Sequence, residues 1–427
     1  MDAMPALAFT PAVGDLPFTP QQRALLSLAH ELGASRFAAR ASQWDEGASF
    51  PFANFDDLRE SGLLALCVPK ADGGGGADYA TYMMVAAEIG RFCGATALTW
   101  NMHISSTLWT GVLADGIPMT EAQRGEHARR RRLHFARVVD DGAIYAQPFS
   151  EGSAAAAGRA PFGTTATKVE GGWRINGRKI FASLSGAAHY YGILCTEQKD
   201  EPSPGATAGA SHLDARDTLY LAVPAASPGV TVSGDWNPLG MRGTVSRNLG
   251  FDNVFVTDDE QLMPRGVYYQ GAQTWPAMFF TLAPTYLGIA NAAYDFTVSY
   301  LRGEVTGEPP VKRRMYPTKQ IAVAQMRIQL ENLKSIFVRA IQEAKPHPSH
   351  DERMRLYAAQ YTVMEGANDI ARLAIRTCGG QSMMKHLPLE RLYRDSRCGA
   401  LMLPWTAELV LDRMGRETLY RPGEKDD

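Results

Sequence analysis

Apolar positions change their spacing twice along the chain. From Gln21 to about Arg137 they recur at steps of three and four: Leu25, Leu28, Ala29 and Leu32 form one stripe and Tyr79 to Ile89 repeats it, which predicts amphipathic helices. From Ala143 the period falls to two. Thr165-Ala166-Thr167-Lys168-Val169 alternates, Gly171-Gly172 interrupts it, and Trp173-Arg174-Ile175 runs into Asn176-Gly177, a pair that predicts a hairpin turn. Thr218 to Val223, Val230 to Val232 and Leu249 to Val256 add short strands, while Lys199 to Ser211, rich in Pro, Gly, Ala and Ser, is expected to be an exposed loop. Long helical spacing returns from Trp275. Ile321, Val323, Ala324, Met326 and Ile328 lead through Leu330, Leu333 and Ile336, and Asp351 to Arg376 forms a further helix.

The expected plan is α+β: a loose arm over 1–20, an N-terminal helical domain over 21–142, a β domain over 143–268, a helical bundle over 269–420 and a flexible tail over 421–427. Pro276 to Tyr294 carries no charge and could be read as a membrane span. It holds Pro284, Thr281, Thr285 and Asn291 and barely reaches across about 30 Å of hydrocarbon, so a helix buried inside a bundle is the better expectation.

Composition narrows the function classes. With 427 residues, 45% of them hydrophobic and 21% charged, the chain can bury a substantial core. A formal charge of -2 gives no footprint for nucleic acid or an anionic membrane. Cys67, Cys93, Cys195, Cys378 and Cys398 are scattered, without a C-x-x-C pair or metal-ligand spacing, which fits reduced thiols in a cytoplasm and no metal. The first 20 residues have no basic n-region or apolar core of signal-peptide length.

Two segments invite chemistry. Val68-Pro69-Lys70-Ala71-Asp72 followed by four glycines has the look of a phosphate loop, but no strand precedes it and no Lys-Ser/Thr follows, so a flexible turn is expected. In Gly177 to Ser183, the two-residue period puts Phe181 and Ser183 on one face. An aromatic plane beside a hydroxyl suits a flavin, the ring packing on the isoalloxazine and the hydroxyl bonding near its reactive nitrogen; an ordinary core Phe with a satisfied Ser is the alternative.

Four stretches carry a resemblance. Pro69 to Gly76 with Ala87-Glu88-Ile89-Gly90-Arg91, Asn176 to Gly186, Leu239-Gly240-Met241-Arg242-Gly243-Thr244-Val245-Ser246, and Cys378-Gly379-Gly380 with Glu390-Arg391-Leu392-Tyr393-Arg394-Asp395 resemble, in that order, the recurrent motifs of acyl-CoA dehydrogenases. The resemblance implies that family's fold, with an N-terminal helical domain, a central β-barrel or sandwich and a C-terminal four-helix bundle. It also implies FAD, an acyl-CoA or other acyl thioester as substrate, electron-transfer flavoprotein or a flavin reductase as partner, and a homotetramer or homodimer. Carried over by position, Gln147, Gly152 and Ser153 lie along the flavin edge, Phe181 and Ser183 replace the usual Trp and Thr, and Thr406 matches a family Thr near the cofactor. Arg302, Gly379 and Gly380 meet the pyrophosphate of a neighbouring subunit's FAD, an always-charged fork and two side-chain-free amides being suited to phosphate.

The family's catalytic carboxylate is missing. Desaturating a thioester removes a weakly acidic α-proton and needs a positioned base. The usual position holds Pro404, and the alternative one, ahead of Leu287-Gly288, falls near Met278 among residues without a carboxylate. Glu408, one helical turn past Pro404, Glu151 within the flavin-edge segment, and His103 on the helix bordering the acyl pocket are the candidate replacements. Either a displaced base performs α,β-dehydrogenation, or the fold hosts a flavin-dependent monooxygenase, which needs no such base, or the chain is a flavin-binding partner subunit.

Overall fold

The computed structural model describes residues 7–152, 160–199, 213–402, 406–421, 423–424 and 426. Ser153, Pro404 and most of the expected loop at 199–211 lie outside them.

The N-terminal unit is helical. Helix α1 (Pro20–Leu32) starts at a capping box between Thr19 and Gln22 with Pro20 in its first turn, and one π-widened turn leads into α2 (Ala38–Glu46). Then follow α3 (Phe52–Glu60), α4 (Tyr79–Phe92), α5 (Gly94–Leu108) and α6 (Glu121–Val139). Helices α4 and α5 are buried nearly all round, as befits the centre of a domain. The arm before α1 is not loose. Ala12, Val13 and Phe18 are buried because the Ala12 N–H ends on the Glu88 carboxylate at 2.7 Å, and Asn291 donates to the Ala12 carbonyl at 3.0 Å. Nor is the glycine run a free loop: the amides of Gly74, Gly75 and Gly76 bond the carbonyls of Pro69, Ala65 and Val68, leaving none of the three to cradle a phosphate.

The middle unit is one sheet of eight strands among the described residues: β1 (Tyr145–Ala146), β2 (Thr165–Val169), β3 (Gly172–Ala182), β4 (Tyr190–Glu197), β5 (Thr218–Pro224), β6 (Val230–Ser233), β7 (Arg247–Thr257) and β8 (Gln261–Met263). Their order is β6-β7-β3-β2-β4-β5-β8, with β1 beside β4. Asn176-Gly177 is not a hairpin turn. The turn between β2 and β3 lies at Gly171, and Asn176-Gly177 forms a bulge inside a continuous β3, where the register with β7 shifts. Gly177 takes φ 145°, and a Cβ there would lie 2.6 Å from the Thr164 Cα, so the strand crosses its neighbour only with glycine at this point.

The C-terminal unit contains α7 (Val267–Thr274), α8 (Ala283–Arg302), α9 (Pro317–Gln342), α10 (His350–Cys378), α11 (Leu389–Cys398) and α12 (Ala407–Leu419). Helix α8 is wedged between α4 and α10, so the uncharged stretch from Pro276 is interior, and no helix of the described residues is long and apolar enough to cross a membrane. On α9 the buried stripe is Met326, Leu330, Leu333 and Phe337, while Ile321 and Ile328 point outward at 59% and 65% exposure.

Candidate functional site

Beyond the bulge β3 leaves strand geometry. Phe181 (φ 50°) and Leu184 (φ 63°) take left-handed backbone, and so do Met241 (φ 54°) and Val245 (φ 47°) on the facing loop. For a β-branched residue such as Val245 this is an outlier, and each such residue stores on the order of 1–3 kcal/mol, strain of the kind found where proteins grip ligands. Two backbone bonds clamp the loops together, from the Leu184 N–H to the Thr244 carbonyl (3.0 Å) and from the Ser185 N–H to the Val245 carbonyl (3.2 Å). The Phe181 ring is thereby turned outward, 69% exposed, with the edge of Trp236 beside it at 6.5 Å. Strand β3 ends at Ala182, so Phe181 and Ser183 owe their placement to this turn and not to the alternation of a pleat.

Ser183 heads a chain of hydroxyls. Its Oγ lies 2.8 Å from that of Ser246, which lies 2.8 Å from the Thr244 Oγ1, which donates to the Met241 carbonyl at 2.8 Å. A carbonyl can only accept, so the Thr244 proton is committed; Ser246 then donates to Thr244 and Ser183 to Ser246. The outer hydroxyl is left with lone pairs to offer and no proton.

The loop carrying this chain hangs from α11. Asp395 accepts the Met241 N–H at 2.5 Å, and burial pushes its carboxyl up to about 6 against the pull of Arg391. Arg394 donates to the Leu239 carbonyl, to both Asp45 oxygens and to both Glu390 oxygens, tying α11 to α2 and to the loop. Asp395 and Arg394 belong to a stretch noticed in the sequence, yet their role as supports of the Ser183 relay is visible only in three dimensions.

The segment 147–152 follows β1 and reaches β3, where the Ile180 N–H donates to the Ser150 carbonyl at 2.8 Å. The Gln147 amide donates to the Tyr220 hydroxyl at 2.8 Å, and its Oε1 is buried without a partner. Gly152 has φ 77° and lies 3.9 Å, measured from an added Cβ, from the Ile180 side chain, so it abuts the same strand end as Phe181. Glu151 turns away from this surface. Its carboxylate takes the Lys179 ammonium at 2.6 Å and the N–H groups of Gly163 (2.6 Å) and Thr164 (3.0 Å). Lys179 is wholly buried, also donating to the Leu194 carbonyl and lying 4.4 Å from the Phe162 ring centre. Burial lowers the Lys179 pKa despite Glu151; on Glu151 burial works upward, but Lys179 and the amides outweigh it and its pKa is lowered. A carboxylate so engaged is a structural anchor and not a poised base.

His103 is engaged as fully. Nε2–H donates to the Leu64 carbonyl at 2.8 Å and Nδ1 accepts the Tyr145 N–H at 3.0 Å, while burial brings the pKa down to about 4. Neither ring nitrogen is left to take a proton. Glu408 sits exposed in the first turn of α12, which Thr406 caps through the Leu409 N–H at 3.4 Å, so both are accounted for by the helix start. Arg302 closes α8, roughly 30 Å of helix from the Phe280 end of the bundle, and its Nε is shared with both oxygens of Glu304 at 2.8 Å. Gly379 and Gly380 end α10 with open space where side chains would be. The fold thus brings Gly152 to the strand end that carries Phe181 and Ser183, sets Gln147 against Tyr220 of β5, and puts Arg302, Gly379 and Gly380 at helix ends.

An outward aromatic, a strained clamp and a polarised hydroxyl together fit a planar, heteroatom-rich ring such as a flavin. The models of the acyl-CoA dehydrogenase N-terminal, middle and C-terminal domains match residues 19–126, 149–254 and 280–403. The chain belongs to the acyl-CoA dehydrogenase family. Its relatives span several chemistries by name. It is 27% identical to a putative acyl-CoA dehydrogenase, YdbM, of Bacillus subtilis, covering 90% of this chain and 94% of that one. It is 28% identical to L-evernosamine nitrososynthase of a Micromonospora species, covering 96% and 93%. Among solved structures, KijD3 in complex with FMN and dTDP-3-amino-2,3,6-trideoxy-4-keto-3-methyl-D-glucose superposes with a TM-score of 0.78 at 24% identity, over 97% of this chain and 98% of that one. Family membership does not by itself choose the reaction, and in this acyl-CoA dehydrogenase-family chain Met278, at one of the two base positions, is a fully buried apolar residue.

Proposed function

We propose that this protein is an oxygen-dependent flavin monooxygenase, acting with a reduced flavin delivered by a separate flavin reductase. The observation that carries the reading is the state of the candidate bases. Glu151 is locked to Lys179, both nitrogens of His103 are taken by backbone groups, and Glu408 is an exposed helix-start acid. Dehydrogenation needs a carboxylate aimed at an α-carbon; oxygen transfer does not. When bound, the reduced flavin activates molecular oxygen for transfer to the substrate. The chain's part is to hold the ring against Phe181, to accept a hydrogen bond at Ser183, and to meet the ring edge through Gln147, Gly152 and Ser153.

The names of two relatives support this choice, since one is a nitrososynthase and the other was solved with FMN and an amino-sugar nucleotide. FAD remains the flavin we favour, with Arg302, Gly379 and Gly380 serving its pyrophosphate in a neighbouring subunit of a homodimer or homotetramer. The outward Ile321 and Ile328 give such an assembly an apolar surface to bury. The free cysteines are in keeping with a cytoplasmic protein.

The test is a pair of reactions on flavin-loaded protein. Anaerobic mixing with a panel of acyl-CoA thioesters should leave the oxidised flavin band unbleached, and a flavin reductase with NADH and oxygen should drive substrate-dependent hydroxylation of amine- or ring-bearing compounds. Bleaching by a thioester would reverse the assignment in favour of desaturation by a displaced base. Glu408 is then the residue to examine, because Glu408→Gln should leave turnover within twofold of wild type under the monooxygenase reading.

A further inference from the structure

An open cleft of about 550 Å³ lies between the N-terminal helical unit and the start of α11. On one side α2 lines it with Ala38, Ala39 and Ser42, all small and exposed. Phe92 at the end of α4 and Ala292 on α8 line it from within, and the loop from Lys385 into the first turn of α11 closes the other side. Short side chains on α2 leave the space empty, and its volume falls among those of pockets that hold small organic molecules, about 300–1,000 Å³.

Most of the charge around this space is spent on a neighbour. Arg91 holds Asp295 at 2.6 Å, His30 lies 2.7 Å from Glu88, and His386 lies 3.0 Å from Glu308. Asp45 and Glu390 both receive Arg394. Arg391, Lys385 and Glu46 are what remains: none of these three side chains makes a hydrogen bond or an ion pair among the described residues. The contrast within α11 is plain, because Arg394 and Arg397 each donate to carboxylates, Arg397 to both oxygens of Glu365 at 3.0 Å. Arg391 is half-buried and also lines a void of about 10 Å³ beside Asp395, whose charge it feels without pairing. The backbone adds to the positive side. Helix α11 starts in this wall behind Pro388 with no side chain capping it, and a helix start carries about half a positive charge on its free amides.

We infer that this cleft is a second ligand site, apart from the strand end that carries Phe181, and that it takes a phosphate monoester on a compact apolar body. Two unpaired cations and an uncapped helix start match a doubly charged head better than a carboxylate, and the Arg391 fork can donate two hydrogen bonds to phosphate at once. Phe92 and the alanines of α2 and α8 give the body of the ester an apolar bed. Glu46, unpaired on α2, repels a second anionic group on that side, so the charge belongs at the α11 end. None of the cleft's residues has a part in the proposed flavin site, and the site stands whichever reaction the flavin performs.

Calorimetric titration of flavin-loaded protein, in a buffer free of phosphate, tests the site with phenyl phosphate, inorganic phosphate and phenol. Phenyl phosphate should bind wild type at one site per chain and at least tenfold more tightly than inorganic phosphate, and phenol should give no binding heat. Arg391→Ala should weaken phenyl phosphate at least tenfold and Lys385→Ala at least threefold. Should Arg391→Ala fold poorly, Ala39→Trp fills the cleft from an exposed position on the opposite wall; it should abolish binding and leave the Tm within 1 °C of wild type. No heat with phenyl phosphate in wild type, equal affinity for inorganic phosphate, or binding unmoved by Arg391→Ala and Ala39→Trp alike would overturn the inference. Because binding is read on its own, failure of the monooxygenase assay would leave this result standing.

Discussion

The sharpest test of the reasoning concerns Glu151, because an acid in a segment expected along a flavin edge invites a catalytic role and the structure gives it another. Replacing it with Gln removes the negative charge opposite the Lys179 ammonium, which is then left with neutral partners such as the Leu194 carbonyl and the Phe162 ring in a site with no solvent exposure. Breaking a buried ion pair by removing one partner typically costs about 3–5 kcal/mol, because the remaining charge has lost its compensation. Gln can still accept from one of the Gly163 and Thr164 amides but cannot serve both and Lys179 together. For a chain of 427 residues the unfolding entropy is about 0.9 kcal/mol/K, so the loss corresponds to a fall of roughly 3–6 °C in Tm. The double variant Glu151→Gln with Lys179→Met removes both charges and should recover most of it, to within about 1–2 kcal/mol of wild type, as paired replacement of buried ions usually does. Scanning fluorimetry on the flavin-loaded protein reads the stabilities, and turnover with a flavin reductase at a temperature well below every Tm reads the chemistry. Should Glu151→Gln keep its Tm within 1 °C while turnover drops a hundredfold, with no rescue in the double variant, Glu151 is the base and the monooxygenase argument fails with it.

Three other outcomes follow from the same geometry. His103 and His134 are held neutral by burial at about 4 and about 3, below the unfolded value of 6.5, so their stabilisation is complete above pH 6.5 and is lost as pH falls toward those values. His103 alone represents about 3 kcal/mol, and Asp395, raised to about 6, runs the opposite way between 3.8 and 6 and offsets part of it. Urea titrations at pH 8 and pH 5 should show the weaker fold at pH 5; equal midpoints would contradict the burial argument. Phe181→Ala should weaken flavin about tenfold, the ~1.4 kcal/mol expected of a lost aromatic face, with little change in the Tm of flavin-free protein because the ring is exposed. Thr244→Val cuts the Ser183 relay from the Met241 carbonyl, so Ser183 can donate outward and oxidised flavin gains relative to reduced. One neutral hydrogen bond, about 0.5–1.5 kcal/mol, corresponds to a midpoint potential lower by roughly 10–30 mV, and an unchanged or raised potential in spectroelectrochemical titration would refute the polarity assigned to the relay.

The order helix, sheet, helix was legible in the sequence because each unit buries one face and keeps its period. Legibility fails where burial is two-sided or contacts are remote. Strand β4, Tyr190–Glu197, is buried along six consecutive residues and so shows no alternation to read. Asn176-Gly177 carries the chemistry of a hairpin, yet what fits glycine there is the close approach of Thr164, the residue before β2. The arm before α1 reads as loose because its anchors, Glu88 and Asn291, are far away in sequence. Phe181 and Ser183 are presented by a left-handed turn and not by the strand alternation that the sequence predicts. Local pattern also could not assign Glu151 or His103: the partner of one is Lys179, 28 residues on, and the other is satisfied by Leu64, 39 residues back.

The relay and the absent base bear on one question from independent directions. Desaturation of a thioester begins with oxidised flavin, whose unprotonated reactive nitrogen can only accept a hydrogen bond. Here the Met241 carbonyl draws each hydroxyl proton inward, so Ser183 is an acceptor, the polarity that would suit the N–H such a nitrogen carries once a flavin is reduced. A protein that takes up flavin already reduced benefits from that polarity, and it has no use for an α-carbon base. Four left-handed residues and the Asp395–Met241 bond hold Met241 where its carbonyl can set the direction, which gives the strain in this loop a chemical purpose. Reversing the relay therefore probes the reaction assignment without touching any acid: if Ser183 can be made a donor and thioesters then bleach the flavin, the wild-type hydroxyl chain was what kept this fold from dehydrogenation.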